Sequence, residues 1–303
     1  MEFNIVVLGC NSAIPSQGRH PTAQVVNIGA HKYLIDAGEG TQLQCAKFRQ
    51  SPMKISKIFI SHLHGDHVYG LPGLLTTLNL QGRKKPLDIY GPSDLAQMIL
   101  PFLELSCVQL NYPLSFHPVK STTRHLLVEE DNVNIYAFPL SHKIETYGYL
   151  FEERITYRNL IPEMLIKYNI PKEKRGEIAK GKDWVTPTGD IIPNENLTSP
   201  SKAPRSYAYC SDTRYMPEII PWISGVSLLY HEATYLHEMV DKADERGHST
   251  ALQAAEIAKQ AGANKLLLGH FSSKYGDLSP LEGEARRVFL YSEVAQEGNI
   301  YSI

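Results

Sequence analysis

The stretch Phe59-Ile-Ser-His62-Leu-His64-Gly-Asp66-His67 constrains this chain more than any other, because three histidines and one aspartate fall within six residues. It follows a β-branched apolar run, Lys57 to Ile60, that reads as a strand. A strand ending in a loop can turn His62 and His64 to one side and set Asp66 and His67, one turn further on, toward a second point. Imidazole and carboxylate are ligands that Zn²⁺ accepts without thiolate. Gly65 lets the backbone bend tightly between the two pairs. The pattern predicts a loop built to hold two metal ions.

Two pairs from one loop leave each ion short of ligands, so further His and Asp residues are required at later strand ends. His142 follows the apolar run Val133 to Leu140, Asp212 follows Tyr207 to Cys210, and His270 follows Leu266 to Gly269. Each sits where a predicted strand emerges, which adds three candidate ligands to the four in the loop.

Strand-like runs recur through the first half at Ile5 to Leu8, Ala23 to Ile28, Tyr33 to Ile35 and Leu87 to Tyr90, with helix-like stretches at Gly40 to Phe48, Gly70 to Asn79 and Ser93 to Leu103. A second series has strands at Val133 to Phe138, Ser206 to Cys210, Val226 to Tyr230 and Lys265 to Leu268, and a helix from Ser249 to Gln260. The chain is therefore expected to be α/β, its sheets covered by helices. Residues 151–205 break this rhythm with six prolines and with Lys167, Lys172, Lys174, Arg175, Lys180 and Lys182, opposed between 167 and 182 only by Glu173 and Glu177. They read as an insertion, partly helical at Pro162 to Tyr168 and turning around Ala179-Lys180-Gly181-Lys182. A solvated surface loop is the plainer reading of the same charges.

With 303 residues the chain is long enough for a large core without disulfides. Cys10, Cys45, Cys107 and Cys210 lie far apart with no C-x-x-C pair, and read as reduced core thiols. The N-terminal sequence lacks the features of a signal peptide and no run is long and apolar enough to span a membrane, so a cytoplasmic protein is expected. A net charge of −2 argues against a uniformly basic nucleic-acid coat and leaves room for a local basic patch.

The histidine and aspartate pattern resembles the metallo-β-lactamase superfamily, which implies an αββα sandwich: two packed mixed sheets covered by helices, with a dinuclear metal site at the strand ends. The ordered motifs resemble the ribonuclease Z family of tRNA 3′-processing endonucleases more closely, in its short form. They are Leu8 to Pro15, Ile35 to Gln42, Ser61 to His67 with Gly70-Leu-Pro-Gly73, Tyr90-Gly-Pro92, Ser211 to Arg214, His231-Glu-Ala-Thr234, Gly247-His-Ser-Thr250 and His270 to Tyr275. This resemblance implies one catalytic domain over 1–303 with a tRNA-binding arm at 151–205, in which Lys174, Arg175, Lys180, Gly181 and Lys182 would bind substrate. It implies two Zn²⁺ per subunit, one on His62, His64 and His142, the other on Asp66, His67 and His270, with Asp212 bridging.

It further implies a homodimer whose arm grips the precursor tRNA of the neighbouring active site. Removal of the 3′ trailer would occur after the discriminator nucleotide and leave a 3′-hydroxyl. Asp66 would accept a proton from the attacking water. His248 would protonate the leaving oxygen, held by Glu232, although a helix-start His and a strand-end Glu could equally be capping groups. His231 and Asp36 are candidates for orienting ligands. Cys10, Ala37, His20 and Lys274 depart from the family's usual Thr, Cys, Asn and Arg, and none of them is a predicted ligand. A small-molecule phosphodiesterase, arylsulfatase or lactonase of the same fold, or a non-catalytic RNA-binding scaffold, are the competing expectations.

Overall fold

The computed structural model describes residues 2–154, 157–201 and 203–303; of the predicted single domain and its arm, residues 1, 155, 156 and 202 lie outside the described residues. The first half contains β1 (Phe3–Gly9), β2 (Ala23–Ile28), β3 (His31–Ile35), α1 (Thr41–Lys47), β4 (Ile55–Phe59), α2 (Gly65–Val68), α3 (Leu71–Leu80), β5 (Leu87–Gly91), α4 (Leu95–Leu105) and β6 (Leu114–Pro118). Next come β7 (His125–Glu129), β8 (Val133–Pro139) and β9 (Tyr147–Glu153). The arm holds β10 (Asn159–Leu160), α5 (Pro162–Lys167), α6 (Lys172–Ala179), β11 (Trp184–Val185), β12 (Ile191–Ile192), α7 (Asn194–Leu197) and β13 (Thr198–Ser199). The chain ends with β14 (Ser206–Cys210), β15 (Leu228–Glu232), α8 (Val240–Arg246), α9 (Ala251–Gln260), β16 (Leu266–Gly269), α10 (Ser279–Arg286), β17 (Ser292–Val294) and β18 (Ile300–Ser302).

Two seven-stranded mixed sheets run β18-β1-β2-β3-β4-β5-β6 and β17-β16-β15-β14-β9-β8-β7. Period-two alternation decides which face each side chain covers. Phe3, Ile5 and Val7 of β1 point into the space between the sheets, where they join Ile135, Tyr149, Phe151, Tyr207 and Tyr209. Val6 and Leu8 point the other way and pack with Leu34 and Ile58 under Leu71, Leu74, Leu75 and Leu78 of α3 and Ile99 of α4. On the second sheet the cover is α9, whose Ala254, Ala255, Ile257 and Ala258 are buried in the larger core. This is the expected αββα sandwich. Each fully buried Leu, Ile or Phe contributes about 1.5–3 kcal/mol, so the core needs no covalent staple. Cys10, Cys45 and Cys210 are free and buried, whereas Cys107, expected in the core, is exposed just past the end of α4.

The parallel strands β3 and β4 start at one end of the sandwich and finish at the other, where Asp36 and Ser61 follow them. Strands β14 and β16 likewise deliver Asp212 and His270. The predicted helix at Ser249 begins at Ala251, with Thr250 as its cap in a capping box with Gln253.

The arm leaves from the opposite end, between the last residue of β9 and the first of β14. Ile170, Ile178 and Leu197 form a small cluster of their own with Met164, Tyr168, Trp184 and Ile192, separate from the two larger cores. The turn expected at Lys180 to Lys182 is present, and α6 before it is a helix that the sequence pattern did not announce.

Candidate active site

All seven candidate ligands converge at one end of the sandwich. One ligand atom from each of His62, His64, His142 and Asp212 lies within 4.8 Å of the others, and so do those of Asp66, His67 and His270. Asp212 joins the groups: its Oδ2 is 3.5 Å from His62 Nε2 and 3.7 Å from His142 Nε2, while its Oδ1 is 3.2 Å from His67 Nε2 and 3.1 Å from His270 Nε2. Asp66 Oδ2 closes the second group at 3.3 Å from His270 Nε2 and 3.6 Å from His67 Nε2.

The outer ring nitrogens show what these groups are arranged to hold. His142 Nδ1 lies 2.6 Å from the carbonyl oxygen of Gly247, and His67 Nδ1 lies 2.7 Å from Asp36 Oδ2. His62 Nδ1 meets Ser61 Oγ at 3.0 Å, and His270 Nδ1 meets Thr234 Oγ1 at 3.1 Å. Nδ1 therefore donates outward in each of these four rings and the Nε2 lone pair faces inward, the tautomer a metal ion requires. Inside, His62 Nε2 comes within 3.0 Å of His64 Nδ1, and His67 Nε2 within 3.3 Å of His270 Nε2. Lone pairs this close repel unless a cation lies between them, so the donor set fits two N/O-ligated divalent ions.

Asp36 holds this loop together by accepting from Ser61 N and Oγ, His67 Nδ1 and the Tyr209 hydroxyl, all within 2.9 Å. Asp36 thus touches the candidate ligand His67 directly, as a positioning role requires. Asp36, Asp212 and His270 all have positive φ, 56°, 48° and 56°. Such a conformation costs about 1–3 kcal/mol per residue, which the surrounding hydrogen bonds and burial offset.

Glu232 is fully buried at the end of β15. Its Oε1 accepts from Thr213 N at 2.9 Å and His248 Nδ1 at 2.8 Å, and its Oε2 accepts from Thr234 Oγ1 at 2.6 Å. Thr250 caps α9, so the His248 side chain is not its cap, and only the His248 amide serves a helix end, on the Ala243 carbonyl oxygen of α8. Burial opposes a charge on His248, but the Glu232 carboxylate outweighs it, with Asp212 and Asp66 adding to the effect, and the imidazole is pushed up to about 9. His231 does not orient a ligand, contrary to expectation: adjacent residues of a strand face opposite sides, and its Nδ1 lies on the carbonyl oxygen of Glu232 at 2.8 Å.

Other contacts were not legible in the sequence. The Ala13 amide donates to Asp66 Oδ2 at 2.6 Å from a loop held by Asn11 and Arg19, and Thr234 links His270 to Glu232. A cavity of about 360 Å³ opens onto His64, Asp66, Asp212, His248 and His270, with Glu39 and the exposed Tyr69 among the residues lining it. The arm candidates are not in this cavity. Lys174 lies on α6, and Lys180, Gly181 and Lys182 follow it, Gly181 at φ 101°. Lys182 pairs with Glu177, and Arg175 is committed to the carbonyl oxygen of Ile170.

The family model described as "Anti-Pycsar protein Apyc1" matches residues 3–160. A protein named "Ribonuclease Z" from Parabacteroides distasonis is 44% identical over 302 residues, covering 100% of this chain and 99% of that protein. The crystal structure of human tRNase Z, short form, is similar with a TM-score of 0.72 and 29% identity, covering 99% of each chain. The metallo-β-lactamase fold protein YhfI from Bacillus subtilis aligns over 100% of both chains with a TM-score of 0.69 at 19% identity, a likeness of fold.

Proposed function

The chain belongs to the ribonuclease Z family of metal-dependent phosphodiester hydrolases, and on that premise we propose that it removes 3′ trailers from precursor tRNA by zinc-dependent endonucleolytic hydrolysis after the discriminator nucleotide. The observation that carries this reading is the position of Asp212 between two convergent ligand sets, with His248 lining the cavity and Glu232 buried behind it. His62, His64 and His142 would hold one Zn²⁺, Asp66, His67 and His270 the other, and Asp212 both. When bound, the ions supply positive charge at a phosphoryl oxygen and a water of lowered pKa.

The chain's own residues then divide the proton transfers. Asp66, whose Oδ2 is fixed by the Ala13 amide, accepts the proton of the attacking water. The water oxygen bonds to phosphorus and the P–O3′ bond breaks, as a 3′-hydroxyl product requires. His248, with Nδ1 held by Glu232, delivers the proton from Nε2 to the departing O3′. The products are a tRNA 3′-hydroxyl and a trailer with a 5′-phosphate.

The arm, with Lys174, Arg175, Lys180, Gly181 and Lys182, is proposed to grip the folded body of the tRNA. It emerges at the end of the sandwich away from the candidate ligands of its own chain, which accords with the arrangement that the resemblance implies, a homodimer in which the arm of one subunit serves the active site of the other. A cytoplasmic location accords with that substrate. The test is cleavage of a pre-tRNA bearing a 3′ trailer by the zinc-loaded protein beside Asp66→Ala, with product ends read at single-nucleotide resolution. Cleavage after the discriminator by the wild type alone is expected. No cleavage with metal bound would move the assignment to a small-ester hydrolase of the same fold, such as a phosphodiesterase or arylsulfatase.

A further inference from the structure

A cleft of about 990 Å³ lies at the end of the first sheet opposite the metal ligands, where β3, β4 and β5 begin, and its lining is rich in cations. Lys32, Arg49, Lys54 and Lys85 all line it, and among the described residues none of the four has a carboxylate partner. The two acids of the lining each have another partner: Glu2 accepts from Asn4, and Asp88 takes His117 at 2.9 Å with Lys57 at 3.8 Å. Lys57 is already paired, at 2.9 Å from Glu130. Burial lowers the ammonium of Lys32 and Lys54 lowers it further, against the opposing effects of Cys45 and Glu2.

Arg49 is placed against its own backbone preference. It follows α1 with φ 56°, with Arg49 N on Ala46 O and Gln50 N on Cys45 O, the helix-ending turn in which glycine is usual. The fold alone would be served better by glycine.

The cleft lies at the same end of the sandwich as both roots of the arm and is linked to them through Phe3 and Glu130. Arg205, at the arm's return, bonds Glu153 and the Ile303 carbonyl and lies over the Phe3 ring, between the cleft residues Glu2 and Asn4. Arg154, at its departure, donates to the Glu130 carbonyl, and the Glu130 side chain binds Lys57 and His31 of the cleft. The cleft and the arm's roots thus share one end of the sandwich, which an RNA held by the arm would approach.

We infer that the cleft is a second RNA-binding surface, in which Lys32, Arg49, Lys54 and Lys85 neutralise backbone phosphates of the precursor tRNA held by the arm. The inference rests on the proposed reading of the arm and substrate. Phosphate contacts fix orientation without reading sequence and make binding salt-dependent.

The experiment measures pre-tRNA binding by fluorescence anisotropy from about 50 to 300 mM salt for the wild type, Arg49→Gly, Lys54→Ala/Lys85→Ala and the triple variant, with the melting temperature of each. The triple variant is expected to lower the slope of log Kd against log salt by roughly 2 and to weaken binding at least about tenfold at low salt. Arg49→Gly is expected to lower the slope by roughly 0.7–0.9 while matching or exceeding the wild-type melting temperature, a split that a structural role for the arginine would not give. Slopes equal to wild type in every variant would overturn the cleft while leaving the family reading intact, since the wild type would still bind and cleave. A wild type that neither binds nor cleaves pre-tRNA would overturn both. Inorganic pyrophosphate is a third probe: stabilisation of the wild type that the triple variant loses, with pre-tRNA binding unaltered, would reassign the cleft to a small phosphorylated ligand and overturn its RNA role.

Discussion

Nδ1 of His248 lies 2.8 Å from Oε1 of Glu232, a carboxylate with no exposure to solvent whose other oxygen takes the Thr234 hydroxyl. The arrangement fixes the ring with its Nε2 edge free, and through Thr234 it also reaches the outer nitrogen of His270. His248→Ala should lower kcat on pre-tRNA by about 10²–10⁴-fold and keep full metal content by elemental analysis. Loss of metal from this variant would show that His248 supports the ligand set instead of the reaction.

Glu232→Gln should do more damage, because it touches both arms of the relay. Turnover should fall as in His248→Ala, and metal affinity should fall by about 10–100-fold through the loosened Thr234–His270 contact. Competition with a chelator measures this, and unchanged affinity would mean that Thr234 alone holds His270.

Asp212 contacts both ligand groups, whereas His142 belongs to one. His142→Ala should therefore retain one ion per chain and Asp212→Ala should retain none tightly. Equal losses in the two variants, at equal secondary structure, would contradict a bridging carboxylate.

The arm has its own small core, and its ends meet where β10 pairs with β13. Replacing residues 160–198 with a short Gly/Ser linker should leave the two-sheet core folded, with a single unfolding transition, and should raise KM for pre-tRNA greatly. Hydrolysis of a small phosphodiester should survive. Comparable loss on both substrates would make the arm a structural part of the site.

Glu153 pairs with Arg205 at 2.7 Å, and the hydrogen bond from Arg205 holds its carboxyl below the usual glutamate value against the opposing effect of burial. A depressed folded-state pKa stabilises the protein above the unfolded value near 4.5, and that contribution is lost as pH falls through the lower folded value. Calorimetry from about pH 3 to 6 should show a shallower acid loss of stability for Glu153→Gln than for the wild type. Identical acid limbs would show that the pair is solvated away.

The candidate metal ligands were legible because their chemistry is local: His62, His64, Asp66 and His67 sit in one loop, and His142, Asp212 and His270 each end an apolar run. The strands that bury both faces were legible for the same reason, β2 and β14 to the residue. Less regular segments were not. The helix α6 buries only Ile178 and Ala179 and carries Gly176 among lysines, so it has no apolar stripe to read. Which oxygen of Asp212 faces which histidines, the turning of His231 away from the site, the Ala13 amide on Asp66 and the cleft beside the arm's roots depend on strand order and register. They bring together residues two hundred and more positions apart, such as Asp66 and His270 or Glu2 and Ile300 of the cleft, and no local pattern encodes such pairs. The sequence by itself determined the candidate ligand types and an α/β class with helix-covered sheets, through short-range spacing and alternation, and implied the αββα arrangement by resemblance; only the packing of the two sheets decided what stands behind each candidate ligand, and with it which proton each histidine carries.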